Sequence, residues 1–210
     1  METASKVGEL QTSPYSLIYD RNEKPFGKTW EEWTEEWWQW VLSIPKDKNP
    51  GFDKTGKIFV LDKTDSDVIF LIGNYGGRSE RQYVIPAGKA LLFPVINFET
   101  SFTEEPYLKT DADLKSRAKR DIDDISRKEV EIDGISLNSM DNYRVQSDVF
   151  GINYPENNVF DLKPGPTYGI SDGYWVFLKP LTAGEHLIHS VGACSLGKTM
   201  IECTWRITVV

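Results

Sequence analysis

The chain has 210 residues, with 32 acidic against 24 basic side chains and a formal charge of −8. That surplus repels a nucleic-acid backbone, and the densest basic stretch, Lys115 to Arg120, runs directly into Asp121, Asp123 and Asp124, so nucleic acid is excluded as a partner. The length suffices to bury a core without disulfide staples, and the sequence holds no apolar run of roughly 18 residues that would insert into a membrane.

The N-terminus, Met1 to Lys6, lacks the basic-then-apolar layout of a signal peptide. Residues 1–25 read as an extension and 26–210 as one β-rich domain. The chain as given reads as cytoplasmic, with a secreted or periplasmic location as the alternative where a leader has been removed.

The segment from Thr29 to Ile44 holds five of the seven tryptophans. At 100° per residue, Trp30, Trp33, Trp37, Trp40, Val41 and Ile44 fall in one arc and Glu31, Glu32, Glu35, Gln39 and Ser43 on the other side, the pattern of an amphipathic helix over 30–44. Thr29 with Glu32 makes a capping box, and Pro45 closes the run. The aromatic arc is expected to pack on a sheet, because each such ring buries about 150–250 Å². Trp38 lies off the arc beside Thr34 and is the candidate for a recognition surface.

Strand patterns follow at Ile58 to Leu61, Val68 to Ile72, Gln82 to Ile85 and Ala90 to Ile96, separated by glycine and proline punctuation. Leu108 to Arg127 then changes period. Leu114, Ala118, Ile122 and Ile125 share one face after a Thr110/Asp113 cap, which predicts a second, charged helix near 111–127. Asp133-Gly134 between two alternating runs predicts a two-residue hairpin. Tyr143 to Tyr154, Tyr174 to Leu178, Glu185 to Val191 and Thr199 to Val209 complete about ten strands. The second and third of these are read as a strand, a tight turn through Gly184 and a returning strand. In the last, Cys203, Trp205, Ile207 and Val209 share a face. Without alternating βα units, the fold expected is mainly β, an antiparallel sandwich or jelly roll carrying the two helices.

Gly192 to Thr199 fits the phosphate-loop spacing G-x-x-x-x-G-K-[ST], with Lys198 and Thr199 in the last two places. A phosphate loop needs a helix after its lysine, and a strand pattern follows here, so no nucleotide is expected. No cofactor is expected either. Cys194 and Cys203 could bridge two hairpin arms or remain free thiols. His186 and His189, three apart on a strand, point to opposite faces and cannot share a metal without a bulge, so no metal is predicted.

Polar groups at the end of the apolar strand, Asn97 and Glu99, are placed to line a cleft. With Asp172 and His189, Glu99 makes the weak candidate set for acid–base or metal chemistry, and thus for a hydrolase or metal-dependent enzyme. The other reading is a non-catalytic binding or interaction domain for carbohydrate or protein. Its candidate ligand contacts are the flat aromatic faces of Trp38, Tyr75, Tyr107 and Tyr168.

Four segments, Gly27 to Pro45, Ile85 to Asn97, Tyr143 to Ser147 and Asp172 to His189, together resemble a family of uncharacterised, mainly bacterial proteins. The resemblance covers about residues 26 to 210 and implies a β-rich fold. It brings no activity, ligand or catalytic set. Many members of that family look secreted, whereas this chain lacks a leader.

Overall fold

The computed structural model describes residues 17–53, 66–195 and 199–210. The strand expected at Ile58 to Leu61 lies outside these residues. Among the described residues, two α-helices, α1 (Trp30–Ser43) and α2 (Asp111–Asp123), accompany ten strands. The strands are β1 (Val68–Phe70), β2 (Gly77–Ile85), β3 (Ala90–Ser101), β4 (Ile125–Ile132), β5 (Ile135–Ser136), β6 (Arg144–Gln146), β7 (Phe150–Tyr154), β8 (Gly165–Leu178), β9 (Gly184–Cys194) and β10 (Met200–Val209). Among the described residues, no helix is long and apolar enough to cross a membrane.

The strands form two five-stranded sheets, β1-β3-β8-β6 with β7 also on β8, and β2-β10-β9-β4-β5. Both are mixed rather than antiparallel, because β1 runs parallel to β3 and β2 parallel to β10. The physical reason lies in the connections. β2 and β3 are joined by the short Pro86–Lys89 turn yet belong to different sheets, and so do β8 and β9. The expected β8–β9 hairpin is therefore an arch between sheets; β9 pairs with β10 and β4 instead. The Asp133-Gly134 turn does close a hairpin, between β4 and β5, with φ of 52° and 79° as a two-residue turn of that hand requires.

The two sheets touch through side chains of β3 and β10. The rings of Phe93 and Trp205 lie 4.9 Å apart across the gap. A methyl on Gly192 would come within 2.5 Å of Ile96 Cβ, so only glycine lets β9 approach β3 this closely.

α1 covers the other face of β8. Trp30 and Trp33 meet the Phe177 ring edge-on, and Trp37 meets Trp175 at 5.3 Å. The Thr29/Glu32 capping box is present at its start. Its buried face is wider than the expected arc and rotated from it: Thr34, Trp38 and Leu42 are buried, whereas Trp40 is only partly so. The helix lies against β6 and β7 as well as β8, so a second side of it is covered. The indoles of Trp30, Trp33 and Trp37 donate to the carbonyls of Asp20, Pro25 and Leu71. Residues 17–19 add to the β8 end through Tyr19 N–H to Phe177 and Lys179 N–H to Leu17.

α2 buries Leu114, Ala118 and Ile122 beneath its Thr110/Asp113 capping box, as expected, but stops at Asp123. Ile125 is buried from β4 rather than from the helix, since its backbone pairs with Cys194 of β9. The stretch from Tyr143 to Tyr154 is two strands, β6 and β7, both on β8. Cys203, Trp205, Ile207 and Val209 all point inward from β10. Both cysteines are free thiols.

Candidate functional site

β1 pairs only with Ala90 to Leu92 of β3. Beyond that point the outer edge of β3 has no strand beside it among the described residues, and the ladder to β8 breaks between Pro94 and Ile96. A cleft of about 270 Å³ opens along this bare edge. Trp37 and Trp38 of α1, Tyr75, Phe160 and Trp205 of β10 line it. Asn97 and Glu99 enter from β3, and Glu104 from the turn that follows it.

The pleat explains which side chains arrive. Asn97, Glu99 and Ser101 sit opposite Gly173, Ser171 and Gly169 of β8, on the face that carries α1. A methyl on Gly169 would come within 2.6 Å of Glu99 Oε1, so this glycine makes the space in which the carboxyl lies. The other oxygen of Glu99 accepts from the Tyr154 hydroxyl at 3.3 Å, and that hydroxyl lies 3.1 Å from Ser101 Oγ.

The cleft concentrates unmet hydrogen-bonding capacity. Nine buried side-chain nitrogen or oxygen atoms have no partner among the described residues, and four of them, Trp38 Nε1, Asn97 Nδ2, Glu99 Oε1 and Glu104 Oε2, belong to residues lining this cleft. Buried polar groups are otherwise nearly always paired, each orphan costing about 1–3 kcal/mol. Among the described residues, two donors without an acceptor and two carboxyl oxygens that no other group's donor reaches thus surround one concavity.

Glu99 and Glu104 contact each other through their carboxyl groups. Burial first, and the charge of Glu104 second, push the Glu99 carboxyl well above the ordinary range. Burial, followed by the charge of Glu105, pushes Glu104 up to about 7. If both were ionised, their facing oxygens would repel with no donor between them; one shared proton satisfies both. Contact at hydrogen-bonding distance is closer than the ~5–9.5 Å that separates the two carboxyls of glycosidases. Behind the pair a second, more polar cavity of about 480 Å³ is lined by Arg117, Arg120 and Asp121, with Arg117 already held by Glu105 and Asp121.

These raised values make stability depend on pH in a defined direction. A carboxyl whose folded value lies above 4.5 favours the folded state fully below that pH, and the contribution is lost as pH climbs towards about 7. Glu104→Gln removes the ionisation while keeping a hydrogen-bonding group. Relative to the parent chain, the variant should therefore gain about 2 kcal/mol of unfolding free energy between pH 4.5 and pH 8 in urea titrations. A difference that stays flat across that range would refute the shared proton.

The structure brings Asn97, Glu99, Trp38 and Tyr75 to this cleft. Asp172 does not join them. It lies opposite Phe98, on the reverse face of the sheet, fully buried and clamped by Arg144 at 2.7 and 3.0 Å and by Gln146 at 3.0 Å. His189 belongs to the other sheet and faces Glu202 at 3.3 Å, while His186 pairs with Asp133 at 2.8 Å. Among the described residues no three His, Cys, Asp or Glu side chains converge on one point. Tyr107 and Tyr168 are exposed and do not line the cleft. Of the phosphate-loop pattern, Gly192 to Cys194 belong to β9 and strand β10 starts one residue after Thr199; Lys198 lies outside the described residues.

Glu104, Trp37 and Trp205 join the site without a sequence signal. Glu104 sits in an irregular turn, and both tryptophans read as core residues, which they also are. Comparison with protein-family models, with curated proteins and with solved structures finds no match.

Proposed function

We propose that this chain is a binding domain that seats a compact, sugar-sized polyhydroxy ligand in the cleft between α1 and the bare edge of β3. The observation that carries this reading is the convergence there, among aromatic side chains, of two buried donors without a described partner, Trp38 Nε1 and Asn97 Nδ2, and of the buried carboxyl pair Glu99 and Glu104. Flat indole faces match the apolar faces of a sugar ring, and its hydroxyls can both give and accept hydrogen bonds. A volume of about 270 Å³ sits just below the ~300–1,000 Å³ usual for ligand pockets, which favours a single ring over a protein segment. We read the two facing sheets as a sandwich with the ligand at one open edge, a reading supported by the Phe93–Trp205 contact and the Gly192 approach.

Trp37 and Trp38 provide the measurement. Titration with a panel of monosaccharides should change tryptophan emission saturably with a Kd of about 1 mM or tighter. Asn97→Ala and Trp38→Phe, each removing one open donor, should weaken that binding by about tenfold. If no monosaccharide gives a saturable signal, or if both variants bind as the parent does, the proposal fails.

A further inference from the structure

The charges around the cleft narrow the ligand further. Its described lining residues include no lysine, arginine or histidine, and its acidic groups are Glu99 and Glu104. Glu99 is only 7% exposed, and its Oε1, like Oε2 of Glu104, has no partner among the described residues. Among the described residues an anionic ligand would meet two carboxyls and no cation. A neutral ligand leaves the pair as it is. A cation finds two carboxyls together with the indoles of Trp37, Trp38 and Trp205 in the same lining, the combination that recognises organic ammonium groups.

We propose, resting on the reading of the cleft as a ligand site, that the ligand carries a protonated amine that docks between Glu99 and Glu104 and displaces the proton they share. In the empty site the pair holds one proton between two carboxyls. On binding, R–NH₃⁺ donates to Glu99 Oε1 and Glu104 Oε2, the shared proton passes to solvent, and two carboxylates face one ammonium. The cavity behind the pair offers the proton a polar way out. Among the described residues, the titratable groups around the pair are Tyr154 of β7, Glu105 of the turn, Cys194 of β9, Asp124, and Arg117, Arg120 and Asp121 of α2. Burial foremost, then the Glu99 charge, pushes the Tyr154 phenol far above its ordinary value, so it remains a donor. Arg117 is engaged by Glu105 and Asp121, and its charge offsets the rise of Glu104 only in part, behind burial and the charge of Glu105.

The test is calorimetry of the full chain with glucosamine, glucose, cyclohexylamine and cyclohexanol, at about pH 6.5 where alkylamines are protonated, in two buffers of different ionisation heat. Each amine is expected to bind at least about tenfold tighter than its hydroxyl twin, with a proton released, and Glu104→Gln should bring that ratio close to one. Equal binding of glucosamine and glucose, together with equal binding of the cyclohexyl pair, overturns the amine and leaves the sugar reading standing. Binding of cyclohexylamine without either sugar supports the amine and removes the sugar reading. No binding by any of the four compounds overturns both.

Discussion

Replacing Trp37 with alanine should destabilise the protein by about 3–5 kcal/mol, the range for truncating a buried large aromatic. Trp37 is 3% exposed and stands edge-on to Trp38 and Trp175 at 5.2 and 5.3 Å. It therefore joins helix to sheet at the centre of the aromatic layer. Its indole also donates to the Leu71 carbonyl at 3.1 Å, so truncation leaves that acceptor bare as well as opening a cavity. Trp37→Phe retains most of the ring contact and loses the hydrogen bond, and should cost about 1–2 kcal/mol. Urea unfolding followed by far-ultraviolet circular dichroism measures both, independently of the lost fluorophore. A loss below about 1 kcal/mol for the alanine variant would mean that α1 does not depend on this contact.

The second large effect is expected at Arg144. Its guanidinium grips both oxygens of fully buried Asp172, reaches Asp123 at 2.7 Å and donates to the Lys119 carbonyl at 3.3 Å, so it ties β6 and β8 to α2. Arg144→Met leaves the Asp172 carboxylate buried without its cation, with Gln146 as its remaining side-chain donor in these contacts. The expected loss is about 3–5 kcal/mol, because an uncompensated buried charge is far more costly than an absent pair. The double variant Arg144→Met with Asp172→Leu removes the charge too, and should recover at least half of that loss. Chemical denaturation of the single and double variants tests the pair directly. A double variant no more stable than the single would show that packing, rather than charge, dominates at this position.

Local chemistry made some of this structure legible in the sequence and long-range pairing hid the rest. The spacing of Trp30, Trp33 and Trp37 and the Thr29/Glu32 box determine a helix within its own few residues, and the Asp133-Gly134 pair selects a turn hand. No comparable local signal separates a hairpin from an arch. Pro86 to Lys89 and Pro180 to Ala183 carry ordinary turn residues, and whether the next strand returns to the same sheet depends on partners far away in the chain. The parallel pairings follow from that missing information. Within the site, Asn97 and Glu99 were readable as polar residues emerging from an apolar strand, with Trp38 and Tyr75 as surplus aromatics. Asp172 gave the same signal for a different reason. A polar side chain on a buried strand marks either an opening or an internal ion pair, and only the position of Arg144, on another strand, distinguishes them.

The place of β10 in its sheet also bears on how the molecule is made. β10 lies between β2 and β9, and 124 residues separate Ser79 of β2 from its neighbour Cys203. As the polypeptide leaves the ribosome, β2 is finished long before the strand it pairs with exists. Loop closure over such a span is slow, so for that interval β2 is an unpaired edge open to other chains. Its sequence suits that wait: Arg78, Glu80 and Gln82 alternate along the side that stays in water. Side chains of this kind discourage edge-to-edge pairing with a neighbouring nascent chain, and because β2 stays at the end of its sheet they serve the same purpose in the finished fold.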